Sequence, residues 1–459
     1  MQLQLDWSSY ANAGQGDAYA DIPASGGDFA RAVAVCIDDR QCQRKPKGVM
    51  CPSFRVTDDP AQSPGGRVAV LKAALNGELG AVAFAGPELA AALDLCLGCK
   101  GCKRECANQV DMAAIKIETL AQRNAMLGVP LRDRLFAGLP RWLGRSRPRR
   151  SWLRGLIRWR NRSRLLARLG ERWLGIAARR RLPEPVAAPY SPPAAGEHPP
   201  SERDVILFVD TFARQFEPEI AEAAHAVLTA AGYRVRVLAP AADDAEPERA
   251  LCCGRTYLSL GQVAAARREA RRMQAALAPA LAAGTPIVGL EPSCILSLRD
   301  DHLKLGLGEA AQALARQVYL FEEFIAREHD RKRLTLPLRP LSGAKAMVHG
   351  HCHQKAVGAM KALRKTLRLI PEFEFEFVEA SCCGMAGHFG LEAEHAEIAM
   401  AMAEQDLLPA LRAAPAEAPV LANGFSCRQQ IGDGCERSAV HVAVLLREAL
   451  GLAAPTSRR

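Results

Sequence analysis

Downstream of residue 200 the chain alternates short apolar runs with longer stretches whose apolar residues recur at helical spacing. Residues 204–209 (D-V-I-L-F-V) read as a buried strand, 217–231 as a helix and 233–238 as a second strand, followed by a loop carrying Cys252, Cys253 and Gly254. A helix is predicted over 260–283 and a strand over 286–290, which runs into Glu291, Pro292, Ser293 and Cys294. The same order then returns. A strand over 344–349 ends near Cys352, a strand over 373–378 leads to Cys382, Cys383 and Gly384, and a helix over 394–408 precedes a strand over 420–423 that ends at Cys427. In the first copy Asp210 is expected at the strand end that Cys352 holds in the second. Strands alternating with helices predict two α/β units with mainly parallel sheets. Cysteines at strand ends lie where such sheets hold ligands.

Upstream the pattern changes. Residues 1–30 are polar and glycine-rich, with no basic start followed by an apolar stretch, so no secretory signal is expected. From 132 to 181 arginines crowd among leucines and tryptophans with almost no acidic residues, and most of the net charge of +10 arises there. Leu and Trp interleaved with Arg at roughly helical spacing predict an interfacial helix, docked on a membrane surface or on a partner subunit. A solvated connector is the plainer reading, and no nucleic-acid partner is expected, since no such binding motif accompanies the charge. Residues 182–200, rich in proline and alanine, suit an extended linker and place a domain boundary.

The 459 residues, 49% hydrophobic and 24% charged, are those of a globular chain with room for two or three domains. No run of about eighteen apolar residues occurs, so no bilayer-spanning helix is expected. A cytoplasmic location follows as the expectation, with peripheral contact at the inner face of the membrane left open. In that compartment the fifteen cysteines are expected to bind metal or clusters and not to pair as disulfides.

The sharpest motif is Cys96-Leu-Gly-Cys99-Lys-Gly-Cys102-Lys-Arg-Glu-Cys106, whose spacing is the bacterial ferredoxin run. In that run three thiolates hold one 4Fe-4S cubane and the fourth points to another cluster. Cys51, followed by Pro52, supplies the missing ligand, so Cys51, Cys96, Cys99 and Cys102 make a complete set. Cys36, Cys42 and Cys106 are left for a second site with only three thiolates, where a three-iron cluster, a cubane with another ligand or no cluster all stay open. A structural zinc site is the rival for the first set, although it normally uses two separated cysteine pairs.

The paired cysteines mark two further candidate sites. Cys352, Cys382, Cys383 and Cys427 offer four thiols, whereas Cys252, Cys253 and Cys294 offer three, so the second copy is the better supplied; small buried residues in tight loops are the bland alternative. His349, His351 and His353 would share one face if the strand persisted, and could bind metal, pass protons or lower the Cys352 thiol pKa. His388 carries the same ambiguity. No phosphate-binding loop, serine elbow, zinc-protease or dinucleotide motif occurs.

These residues resemble the iron-sulfur, cysteine-rich half of flavin-dependent D-2-hydroxyacid dehydrogenases, and the separate iron-sulfur subunit of glycolate oxidase. The resemblance covers nearly the whole chain. It is carried by 48–54 (G-V-M-C-P-S-F), Gly66 and Arg67, the run from Cys96 to Cys106 with Val110, Asp111 and Met112, Asp210-Thr211-Phe212, 290–294 (L-E-P-S-C), 351–355 (H-C-H-Q-K) and 424–427 (G-F-S-C). The family extends to cysteine-rich subunits of anaerobic glycerol-3-phosphate dehydrogenase and heterodisulfide reductase. Two departures stand out. Ile37-Asp38-Asp39-Arg40-Gln41 replaces an asparagine- and glycine-rich run, and Glu291 and Gln430 stand where heterodisulfide reductases close a C-x-x-C pair.

The resemblance implies an α+β multidomain chain. A tail (1–30) precedes a helical dicluster ferredoxin-like domain (31–131), a basic connector with its linker (132–200) and two cysteine-rich α/β repeats (201–335 and 336–452). It also implies an electron-transfer subunit that receives electrons from FAD on a partner oxidase chain and hands them to quinone or another acceptor. The substrate, of the glycolate, D-lactate or D-2-hydroxyglutarate type, would be oxidised on the partner. A non-catalytic redox sensor or scaffold, a heterodisulfide-reductase-like subunit and a zinc-stabilised binding protein are the alternatives.

Overall fold

The structure, a computed structural model, describes residues 1–45, 48–144, 147–193 and 201–453; the last part of the expected linker, 194–200, lies outside them. Up to residue 144 the described residues form helices and loops without a strand. Helices α1 (Pro64–Leu75), α2 (Gly101–Glu105) and α3 (Met112–Leu127) surround a core that includes Phe29, Val33, Leu71, Leu89 and Ile115. Ser63 and Asp111 cap α1 and α3 by accepting from Gly66 N and Ala114 N at 3.1 Å each. Residues 1–10, polar in sequence, are docked: the buried Glu118 carboxylate accepts from Gln4 N at 2.9 Å, Leu5 N at 2.8 Å and Trp7 Nε1 at 3.1 Å. The basic stretch is helical, as α4 (Arg147–Arg162) and α5 (Arg164–Leu174). The chain after it runs extended beside the first repeat, with Val186 N and Tyr190 N donating to Gln215 O and Arg214 O.

Two four-stranded sheets follow, with all neighbouring strands parallel. The first has β1 (Asp204–Phe208), β2 (Arg234–Val237), β3 (Ile287–Gly289) and β4 (Val318–Leu320) in the order β2-β1-β3-β4. The second has β5 (Ala346–His349), β6 (Phe375–Phe377), β7 (Val420–Ala422) and β8 (Ala439–Val440) in the matching order β6-β5-β7-β8. Strand β1 is buried throughout because both its faces are covered. Val205 and Leu207 point into a core shared with Ala346 and Val348 of the second sheet, while Ile206 and Phe208 face the cluster containing Cys252, Cys253 and Cys294.

The helices used below are α6 (Pro218–Ala230), α7 (Val263–Ala282), α8 (Pro292–Arg299), α9 (Phe321–Asp330), α10 (Cys352–Ala356), α11 (Met360–Leu367), α12 (Ala396–Gln405), α13 (Phe425–Cys435) and α14 (Val442–Ala449). Helix α6 packs on α14, and α9 packs on α11. Each contact pairs a helix after the first strand of one repeat with the helix after the last strand of the other, as a two-fold exchange between repeats requires. In both sheets the chain reverses direction of travel at the central pair, β1 and β3 or β5 and β7. That reversal opens a crevice beyond the strands' carboxyl ends, where ligands bind in folds of this kind. Among the described residues no helix is long and apolar enough to cross a membrane.

Candidate functional site

All fifteen cysteines are free thiols, and the structure gathers the predicted ones into groups. Cys51 precedes a helix that starts at Pro52, a residue suited to a first helical position because the missing N–H has no partner there. Cys96 and Cys99 lie on the loop entering α2 and Cys102 in its first turn; Gly98 and Lys100 both take left-handed backbone conformations. All four thiols are buried. Burial and the neighbouring thiols push Cys99 and Cys102 well up. Cys51 goes the other way: against burial, the Arg67 charge and hydrogen bonds from Phe54 and Ser53 bring it down. Arg67, 1% exposed, reaches Cys51 Sγ at 3.5 Å.

Cys36, Cys42 and Cys106 form a neighbouring group of three that interact with one another, and burial raises Cys36 and Cys42. Cys42 also feels Cys51, so the two groups adjoin.

In both repeats the Cys-Cys-Gly loop is built the same way. Gly254 and Gly384 have φ of +80° and +81°, and a Cβ would lie 3.1 Å from Ala266 O of α7 in one and 2.1 Å from Ala399 O of α12 in the other. Only glycine satisfies both demands. The turn aims its N–H groups at sulfur: Gly254 N donates to Cys252 Sγ at 3.4 Å, and Gly384 N to Cys382 Sγ at 3.5 Å. Cys252, Cys253 and Cys294 form one chain of thiol contacts, and Cys352, Cys382, Cys383 and Cys427 form another. The hydrogen bond with Cys253 lowers Cys294, yet burial and the nearby Asp210 and Glu291 carboxylates push it up to about 12.

Two expectations are corrected. The strand ends at His349 and α10 starts at Cys352, so His349, His351 and His353 do not alternate along one strand face; His351 instead caps α10, its Nδ1 accepting from His353 N at 3.1 Å. Asp210 is the counterpart of His351 and not of Cys352. Both residues follow the first strand by two positions and cap the next helix, which leaves Thr211 opposite Cys352.

The Cys96–Cys102 segment lies against the second repeat. Gly98 O faces His353 Nε2 at 3.2 Å and accepts from Arg255 at 3.3 Å, and Cys352 is the thiol that acts most on Cys99. Ser381 Oγ donates to Val49 O at 2.6 Å, tying the second paired-cysteine loop to the Cys51 loop. The half-buried Lys355 donates from its ammonium to Ala380 O and acts electrostatically with Cys352, Cys382, Cys383 and Cys427. A cavity of about 250 Å³ opens beside these groups, lined by Cys96, Cys352 and Cys382 and by the rings of Phe136, Phe212 and Phe425. Glu291 also lines it; burial and nearby Asp210 raise this carboxyl to about 7, although Phe425 N donates to it at 2.7 Å. Sequence reasoning placed Glu291 at a strand end without giving it a role. Its signal, an acid directly after a buried strand, needs the fold to be read.

No protein-family profile matches the chain, and no solved structure matches it. Among curated proteins it is similar to one of the subunits of the anaerobic glycerol-3-phosphate dehydrogenase of Escherichia coli K12, with 26% identity over 247 residues, 54% of this chain and 59% of that one. It is also similar to the D-2-hydroxyglutarate dehydrogenase of Pseudomonas putida, 25% identical over 473 residues that take in 90% of this chain and 43% of that one. The enzyme of that name from Escherichia coli K12 is 31% identical over 150 residues, 32% of this chain and 14% of its own. The chain spans about half the length of the curated relatives it matches. These relatives are dehydrogenases, in agreement with the resemblance to the cysteine-rich half of flavin- and iron-sulfur-dependent dehydrogenases, and they support an oxidoreductase subunit.

Proposed function

We propose that this chain is the iron-sulfur, electron-carrying subunit of a flavin-dependent 2-hydroxy-acid dehydrogenase. FAD on a partner chain would oxidise a substrate of the glycolate, D-lactate or D-2-hydroxyglutarate type, and this chain would carry the electrons toward quinone or another acceptor. The observation that supports the reading best is the nearness of two thiol sets, the buried Cys51, Cys96, Cys99 and Cys102 on one side and the half-buried Cys352 with the buried Cys382, Cys383 and Cys427 on the other, with Cys352 acting electrostatically on Cys99. The first set fits a 4Fe-4S cluster: four buried thiols face an apolar interior with Arg67 to offset negative charge. Such a cluster supplies one-electron transfer between a two-electron flavin and the acceptor. Lys355 plays for the second set the part that Arg67 plays for the first. The ring-lined cavity beside Cys352 suits a flat apolar acceptor, and Glu291 is placed to exchange a proton with it.

The test is the iron, acid-labile sulfide and zinc content of protein purified without oxygen, followed by mixing with the flavoprotein partner and a 2-hydroxy acid. About four irons per chain with equal sulfide match one cubane, and about eight match two centres. Reduction of the iron-sulfur signal by the hydroxy acid only when the flavoprotein is present is the expected result. Tightly bound zinc without sulfide after cluster reconstitution overturns the reading.

A further inference from the structure

We infer that His349 is a nitrogen ligand to the iron centre of the second paired-cysteine loop, binding beside Cys383 and Cys427. The inference rests on the reading that this loop holds iron. His349 is 1% exposed at the carboxyl end of β5, and neither ring nitrogen has a hydrogen-bond partner. Other buried histidines each have at least one ring nitrogen partnered: His302 Nε2 lies 2.9 Å from Cys253 O, although its Nδ1 has no partner, His353 Nε2 faces Gly98 O, and His441 Nε2 lies 3.2 Å from Leu290 O. A neutral imidazole must carry one N–H and one lone pair, and burying both unpaired costs free energy. A ring nitrogen of His349 and the sulfurs of Cys383 and Cys427 all lie within 4.8 Å of one another. Imidazole and thiolate together suit iron.

The first repeat supplies an internal control. Phe208 pairs with Gly289 at the end of β1 as His349 pairs with Ala422 at the end of β5. Phe208 packs in the cluster of Cys252, Cys253 and Cys294, so the equivalent niche is filled there by hydrocarbon. The fold therefore does not need an imidazole at this place, and the copy that has one is the copy with four thiols.

The experiment uses the full chain, reconstituted with iron and sulfide without oxygen, and reads hyperfine coupling by pulsed electron paramagnetic resonance with and without 15N-histidine. The expected result is a histidine-nitrogen coupling that changes with the isotope and is lost in His349→Phe, a variant the fold already accommodates in its first repeat. Iron content is measured in parallel in the Cys383→Ser/Cys427→Ser double variant. If that content falls but the wild-type protein shows no histidine coupling, or if the coupling survives in His349→Phe, His349 is not a ligand and the iron site stands. If the iron content is unchanged, the loop holds no iron and the inference fails with it. The isotope comparison on wild-type protein needs no variant to fold.

Discussion

Arg67 is among the largest fully buried side chains, and its contacts are polar: Nε donates to Ala92 O at 2.9 Å, one terminal nitrogen to Ser53 Oγ at 2.7 Å, and the other meets Cys51 Sγ. A cation held on one sulfur favours the reduced state of whatever that sulfur ligates, because reduction adds negative charge. Arg67→Met keeps length and volume and removes charge and donors. A redox titration followed by electron paramagnetic resonance should show the potential of this centre lowered by tens of millivolts, and denaturation a loss of about 1–3 kcal/mol for the orphaned acceptors. His395 gives a second test. Burial opposes its protonation, yet Asp94 at 2.9 Å and Glu392 at 2.5 Å raise it from 6.5 to about 9. A raised folded value stabilises the protein fully below 6.5 and loses that contribution as pH rises through about 9. His395→Leu should therefore lower the melting temperature most below pH 6.5 and least above 9, and a pH-independent difference would count against the ion pair.

At the scale of elements, helices α4 and α5 carry an unusual surface. Trp152, Leu156 and Trp159 fall on one stripe of α4, and Leu165, Leu169 and Trp173 on one stripe of α5, all exposed, with exposed Arg158, Arg162, Arg164, Arg168 and Arg172 between them. Tryptophan rings beside guanidinium groups match the interface of an anionic bilayer. The protein should sediment with vesicles containing phosphatidylglycerol and not with pure phosphatidylcholine, and binding should weaken with salt. Trp152→Ala/Trp159→Ala/Trp173→Ala should reduce it about tenfold or more, since burying one such side chain is worth about 1.5–3 kcal/mol. Equal binding by the triple variant would sink the assignment. This helical pair was legible from Arg, Leu and Trp spacing, as were the longer strands and both Cys-Cys-Gly loops. Strands β4 and β8, three and two residues long, carry too little alternation to be read. The histidine cluster misled because a helix N-cap and a strand residue look alike in sequence until the strand's end is known. The thiols of each group could be listed from spacing, but the nearness of the Cys96–Cys102 segment to the second repeat, through Gly98 and His353, is a product of tertiary packing alone.

Across the whole molecule, a clamp of ion pairs joins the helical N-terminal part to the first repeat. Lys100 Nζ contacts Asp300 at 2.7 Å and Asp301 at 2.6 Å, Lys103 Nζ contacts Asp300 at 2.5 Å, and Arg255 contacts Asp301 at 3.0 Å. Arg255 also donates to Gly98 O, and His353 of the second repeat faces the same carbonyl, so the loop bearing Cys96 and Cys99 is gripped by both repeats. Asp301 is buried, and against that cost Lys100 and Arg255 hold its carboxyl well below the usual range. A depressed folded value stabilises above the ordinary 3.8 and is lost only as pH falls below it, so the clamp is intact at neutral pH and fails in acid. Removing one partner of a buried charge group is strongly destabilising because the remaining charges lose their compensation, and Asp301→Asn should cost about 3–5 kcal/mol. If the clamp positions the loop and does more than stabilise the chain, hydrogen exchange in this variant should rise first in residues 96–106, at denaturant concentrations where both sheets remain protected. Uniform loosening of loop and sheets together would show that Asp301 supports the fold as a whole and that the nearness of the Cys96–Cys102 segment to the second repeat is held by other contacts.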